Sequence, residues 1–157
     1  VPEAVRILEA APVDLVITDL DMPRMGGIDL IILGVGVNGH IAFNEPSATF
    51  SRGANVVRIA ASTIPSAVPD FGSREAVPPQ AVTIGVGTIM HCRRILLLAS
   101  GASKARALRE ALTGPVNSLC PATALQHHPG VEILLDQAAF AELEPELPIA
   151  GVQVVRE

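Results

Sequence analysis

Four short apolar runs constrain this chain more than any other feature. They are VDLVIT at Val13–Thr18, IDLIIL at Ile28–Leu33, RILLLA at Arg94–Ala99 and VEILL at Val131–Leu135. Ala-rich amphipathic stretches alternate with them. A strand that is apolar along its whole length fits a sheet covered on both faces, as when a parallel sheet is wrapped by helices. The pattern therefore predicts an α/β fold in three layers, a mostly parallel sheet with helices on both faces. Weaker strands are expected at Asn55–Ile59 and Ala81–Ile84. Helices are expected at Pro2–Ala11, with Val5, Ile7 and Leu8 on the apolar side, and at Ser103–Leu112, closed by Gly114. Pro65, Pro69, Pro78 and Pro79 make Ser62–Pro79 a loop or lid, and the stretch from Ala141 onward reads as a loosely attached Pro-punctuated tail. At 157 residues the whole is one compact domain's worth of chain.

Composition narrows the function classes. With 49% hydrophobic and 17% charged residues the chain is not a disordered polyelectrolyte. A net charge of -5, with neither Trp nor Tyr, argues against a nucleic-acid surface. The longest apolar run, Ile28–Val37, is broken by Asp29 and two glycines, so no membrane span is expected, and Val1–Ala10 lacks a secretory layout. Two cysteines, Cys92 and Cys120, are too few for a disulfide framework, which makes a cytoplasmic setting the default. His127 and His128 with Cys120, or His91 with Cys92, lack the paired spacing of a structural zinc site, so no metal is expected.

Past the IDLIIL strand, Gly34, Gly36 and Gly39 satisfy the G-x-G-x-x-G spacing of dinucleotide sites. That fingerprint requires the loop to open a helix. Here it runs into HIAFNEP, with Pro46 close behind, and no Asp or Glu falls between Glu45 and Asp70. The glycines instead suit a sharp turn at the carboxyl end of a strand, where open α/β sheets place their sites. His40 stands in that turn with Asn38, Asn44 and Glu45. A histidine whose tautomer is fixed by an amide or carboxylate suits general acid–base work, and the same spacing also suits residues that merely satisfy one another.

The stretch GGIDLIILGVGVNGHIAFNEP resembles the signature of the glucosamine-6-phosphate deaminase (isomerase) family. The resemblance continues through VPPQAVTIGVGTIM, RRILLLASGASKARAL and LTGPVNSLCPATALQHHPGVEILLD, about residues 26–139. It implies a Rossmann-like fold, a phosphosugar substrate, no cofactor and a homo-oligomer. In the GHIAFNEP block the family's ring-opening acid–base maps onto His40, its carboxylate partner onto Glu45, and a third member, Asp or Asn among relatives, onto Asn38. The lysine that holds the substrate phosphate maps onto Lys104. Taken alone, a lysine in a first helical turn is ordinarily solvated, although Gly101-Ala102-Ser103 leads into a helix start that favours an anion.

The pattern is departed from in places. The family's N-terminal half, with a phosphate loop and an Asp that abstracts the C2 proton, has no counterpart read in Val1–Met25. Pro69 stands where the family's lid carries a phosphate-clamping Arg, with Arg74 five residues on, and the Ser-Arg region after NEP is shifted by one. AVRILEAAPVDLVITDLDMPRMGGIDL resembles the middle of a response-regulator receiver, with Asp19 at the phosphorylated position but no place for the acidic pair that would bind Mg²⁺. The reading is thus a receiver-like α-β segment at residues 1–27 joined to a deaminase-like core at 28–157. The expected activity is conversion of glucosamine 6-phosphate to fructose 6-phosphate and ammonia, impaired if the N-terminal base is missing. The alternatives are a 6-phosphogluconolactonase-like hydrolase and a non-catalytic phosphosugar-binding or receiver-like module.

Overall fold

The structure, a computed structural model, describes residue 28, residues 30–143 and the backbone of residues 152–155. The expected helix Pro2–Ala11, the strand Val13–Thr18 and Asp19 lie outside the described residues. In chain order the elements are β1 (Leu30–Gly34), β2 (Asn55–Arg58), α1 (Ile64–Phe71), β3 (Gln80–Thr83), α2 (Val86–Ile89) and β4 (Arg94–Ala99). After them come α3 (Ala105–Thr113), β5 (Val131–Asp136), α4 (Gln137–Phe140) and β6 (Val152–Val155).

β1, β4, β5 and β6 form one parallel sheet in that order, and β2 and β3 form a separate antiparallel ribbon. Three of the strong apolar runs, at β1, β4 and β5, therefore lie in the sheet, as expected. The two weaker ones did not join it: Val56 pairs with Val82 and Val57 with Ala81 in the ribbon. Side chains alternate across a strand, and Ile31, Leu33, Ile95, Leu97, Ile133 and Leu135 all turn to one face. There they meet Ala107, Leu108 and Ala111 of α3 and Ala139 and Phe140 of α4. The opposite face holds Leu30, Ile32 and Leu98, each more than two-fifths exposed, so the described helices supply one covering layer and not two.

Three local expectations are corrected. Ser62–Pro79 is not a bare loop: it contains α1, in which Pro65 sits in the first turn, where a missing N–H costs nothing. Pro69 lies inside the same helix, and none of its residues is buried, so the segment stays outside the core as expected. The Pro-punctuated tail is not wholly loose, because its Val152–Val155 pairs in parallel with Ile133–Asp136 of β5. The helix after β4 is continuous but begins as a tight 3₁₀ turn at Ala102–Lys104 and ends at Thr113. Gly114 follows with an ordinary negative φ, and glycine is required there because a Cβ would press on the Glu110 carbonyl. No helix among the described residues is long and apolar enough to cross a membrane.

The parallel register pairs Leu30 with Arg94 and Gly34 with Leu98, so β1 and β4 end at the same level. The loops that leave them, 35–45 and 100–104, emerge side by side at the carboxyl edge of the sheet.

This packing makes a direct prediction. Leu108 is fully buried against the sheet, and Leu108→Ala should lower unfolding free energy by about 2–5 kcal/mol in a denaturant titration. Leu119, 68% exposed, should tolerate alanine within about 0.5 kcal/mol. Equal losses at the two positions would refute the placement of α3.

Candidate active site

The loop after β1 is folded back on itself by its own backbone: the Gly36 N–H donates to the His40 carbonyl at 2.9 Å, and the Gly39 N–H to the Gly36 carbonyl at 3.0 Å. Gly39 adopts φ +80°, a conformation side chains disfavour, and a Cβ there would collide with the Cys120 sulfur. Gly36 matters for a different reason. A Cβ on it would overlap Cε1, Nδ1 and Nε2 of His40, so the imidazole lies directly over this glycine. Ala42, at φ +48°, is the one described non-glycine residue held in the left-handed region, and it borders the same site.

His40 is oriented from behind. Its Nδ1 lies 2.8 Å from Asn38 Oδ1 and 3.4 Å from Glu45 Oε2. The Asn38 amide has a single consistent orientation, because its Nδ2 donates to Glu45 Oε2 at 2.8 Å and to Ser62 Oγ at 3.0 Å, while its Oδ1 also accepts the His40 backbone N–H at 3.2 Å. An oxygen facing Nδ1 requires that nitrogen to carry the proton. Neutral His40 therefore presents an unprotonated Nε2, the form of a general base.

Glu45 is 9% exposed. Burial by itself pushes its carboxyl pKa up; hydrogen bonds from His40, Thr63 and Asn38 and the charge of a protonated His40 outweigh it and hold the value at about 2. The carboxylate stays ionised and also accepts the Ala60 N–H at 3.2 Å on Oε1. Asn44, grouped with His40 by sequence spacing, does not touch it. Its amide donates to the Ile41 and Ile84 carbonyls at 3.0 and 2.8 Å and accepts from Ser51, tying the loop to the ribbon.

A cavity of about 320 Å³ opens in front of the imidazole, lined by Gly34, Gly36 and His40 on one side, Lys104 on another, and α1 with Ala67, Asp70 and Phe71. Gly101 turns the chain at φ +88° after β4 and delivers Lys104 to this wall. Among the described residues Lys104 is the one lysine or arginine lining the cavity, and its ammonium has no partner. The structure thus brings together His40, Asn38, Glu45, Lys104, Gly34 and Gly36, with Gly39 in the supporting turn. Pro69 and Arg74 do not line the cavity; Arg74 lies exposed in the turn after α1. Ser62, Thr63 and the Ala60 N–H were missed by sequence reasoning, and the one signal was a run of small polar residues ahead of Pro65.

The histidine–cysteine pairs have structural bonds instead: His128 Nε2 donates to the Cys92 carbonyl at 2.7 Å, and His91 Nδ1 to the Gly87 carbonyl at 2.6 Å. Among the described residues no three of His, Cys, Asp or Glu are grouped to hold a metal.

Comparison with known proteins fits this geometry. The profile of the family described as glucosamine-6-phosphate isomerases/6-phosphogluconolactonase matches residues 8–134. A glucosamine-6-phosphate deaminase from Thermoanaerobacter pseudethanolicus is 42% identical over 135 residues, 86% of this chain and 53% of that protein. A solved structure of a monomeric glucosamine-6-phosphate deaminase superposes with a TM-score of 0.70 at 42% identity, covering 73% of this chain and 47% of that one. A 6-phosphogluconolactonase from Trypanosoma cruzi shares the fold, with a TM-score of 0.56 at 23% identity over 74% of this chain and 42% of that one. The chain spans about half the length of the curated relatives it matches. The profile's match starts inside the stretch read as receiver-like, so the family resemblance runs through most of residues 1–27, and the receiver reading gains no support from it. This chain belongs to the family of glucosamine-6-phosphate isomerases and 6-phosphogluconolactonases.

Proposed function

We propose that this chain carries the ring-opening and phosphate-holding part of an amino-sugar phosphate deaminase-isomerase, which converts glucosamine 6-phosphate and water to fructose 6-phosphate and ammonia. The observation that carries the proposal is the 2.8 Å contact of His40 Nδ1 with Asn38 Oδ1, in a cavity that His40 and Lys104 both line. A closed pyranose opens when the anomeric hydroxyl loses its proton as the C1–O5 bond breaks and O5 gains one. His40 Nε2 accepts the first proton and returns it to O5. Between the two transfers the ring is an imidazolium, and ionised Glu45, 3.4 Å from Nδ1, stabilises that charge. Lys104 holds the phosphate as a point charge. Asn38, an amide, orients the imidazole without adding charge, so the stabilisation rests on Glu45.

The later step needs a base at C2, and this proposal assigns none. It gives no part to Asp19 and assumes the cytoplasmic setting expected from a chain with too few cysteines for a disulfide framework. The homo-oligomer expected from the family resemblance is not required, since every group named comes from one chain. The lactonase alternative shares the family profile, but the solved lactonase structure is only 23% identical. The deaminase reading has relatives at 42% and 44%.

The test is release of ammonia and fructose 6-phosphate from glucosamine 6-phosphate by the purified chain. His40→Ala should cut turnover by about 10²–10⁴-fold while leaving the fold intact. Gly36→Ala should do nearly as much damage by displacing the imidazole. Folded protein that binds the phosphosugar without turnover would leave a non-catalytic binding module. Lys104→Ala should raise KM about tenfold or more with a smaller effect on kcat; an unchanged KM would remove Lys104 from the site.

Glu45 also predicts a pH dependence of stability. Its folded pKa lies below the ordinary value of 4.5, at about 2, so the stability it contributes is present above pH 4.5 and is lost as pH falls toward 2. The stability gap between the parent chain and Glu45→Gln should therefore be flat above pH 4.5 and close below it. A gap that instead widened on acidification, followed by denaturant titration at each pH, would contradict the hydrogen bonding drawn around this carboxylate.

A further inference from the structure

Thr63 stands immediately before α1, where a threonine hydroxyl ordinarily accepts a hydrogen bond from an N–H of the first helical turn. Its side chain makes no such bond. The residue is 6% exposed, and its Oγ1 lies 3.4 Å from His40 Nδ1. The same hydroxyl is among the hydrogen-bond donors that keep the Glu45 carboxyl ionised. A capping group has been turned away from its own helix and toward the proposed acid–base.

Its neighbours do the same. The Ala60 N–H donates to Glu45 Oε1 at 3.2 Å, and Ser62 Oγ accepts from Asn38 Nδ2 at 3.0 Å. The turn is itself closed by the Thr63 and Ile64 N–H groups, both donating to the Ala60 carbonyl. Three of the four residues 60–63 thus grip the 38–45 loop. The helix that follows without a break supplies Ser66, Ala67, Asp70 and Phe71 to the cavity wall.

We propose that Thr63 is a positioning residue for His40, its hydroxyl holding the imidazole and the Glu45 carboxylate in register and linking that register to the placement of α1. The inference rests on the reading of His40 as the ring-opening group. When Nε2 takes a proton, the charge must be met at Nδ1 by a carboxylate that has not rotated away. The Thr63 hydroxyl stands 3.4 Å from Nδ1, beside that pair. The charged groups facing His40 are Glu45 from its own loop, Lys104 from the turn after β4 and Asp70 from α1.

The experiment compares Thr63→Val, which removes the hydroxyl at nearly constant volume, with Thr63→Ser, which keeps it. Three quantities are read: the ¹⁵N shifts and titration midpoint of the His40 ring without substrate, kcat and KM on glucosamine 6-phosphate, and the thermal midpoint. Thr63→Val should change the tautomer ratio and midpoint of His40 and lower kcat about tenfold with KM within about twofold, while Thr63→Ser restores both. The thermal midpoint should fall by no more than about 5 °C, the loss of one hydroxyl's hydrogen bonding with no helix cap removed. Ring signals in Thr63→Val identical to the parent would overturn the proposal. So would a Thr63→Ser variant as impaired as valine, or a kcat loss matched by a collapse of the thermal midpoint. If the parent chain does not turn over glucosamine 6-phosphate, the proposed function falls, and the ring spectra alone still decide the role of Thr63.

Discussion

The parallel pairing of β1 with β4 is the constraint on which the site depends. Neither loop is a site by itself: one carries an imidazole in a glycine turn, the other a lysine at a helix start. Because Gly34 pairs with Leu98, both strands finish at one level, and their loops share one edge of the sheet. Burial holds that register. Ile31, Leu33, Ile95 and Leu97 are all at most 6% exposed on the same face. A slip of one residue would turn every one of them to the other face. It would also move His40 relative to Lys104 by one residue's rise, about 3.3 Å. The hydrophobic effect thus sets a distance between two polar groups that never touch.

Around His40 the structure accepts local costs to hold a geometry. Ala42 lies in the left-handed region, Glu45 is a buried charge, and the Thr63 hydroxyl forgoes its helix. Each cost is answered nearby. Glu45 is bonded on both oxygens, by the Ala60 N–H and by Asn38. Asn38 uses both ends of its amide, so it cannot flip without losing a bond to Glu45 and one to Ser62. A buried polar group fully partnered in this way specifies one arrangement, whereas a partly partnered one permits several.

Three of the sheet's strands were legible in the sequence as short apolar runs rich in Ile and Leu, whereas the fourth, Val152–Val155, was hidden in the Pro-punctuated tail. The ribbon was half legible. Asn55–Arg58 and Gln80–Thr83 have strand composition, but whether two strands join an existing sheet depends on contacts far apart in sequence. The helix α1 was hidden by its prolines, since Pro65 is harmless in a first turn and Pro69 is tolerated near the exposed end. At the site, His40, Asn38, Glu45 and Lys104 were legible through family motifs, and the glycines through the turn they make. What stayed hidden was the contribution of residues 60–63. Small polar residues ahead of a proline look like any surface loop, and only the fold brings them within reach of a histidine more than twenty positions away.

The cavity beside His40 is lined by one described cation, Lys104. A lysine ammonium is a compact charge with three rotatable donors, so it attracts a phosphate without dictating its orientation, unlike the planar fork of an arginine. Pro69, at the position where the family resemblance puts such a fork, lies outside the cavity lining, and Asp70 beside it brings a carboxylate. The rest of the lining mixes apolar Ala42, Phe43, Ile59 and Phe71 with the polar Ser66 and Gln80, and the imidazole lies over Gly36. A negative group on α1 meanwhile disfavours a second anion and favours a cationic substituent, so the lining pairs one positive with one negative charge.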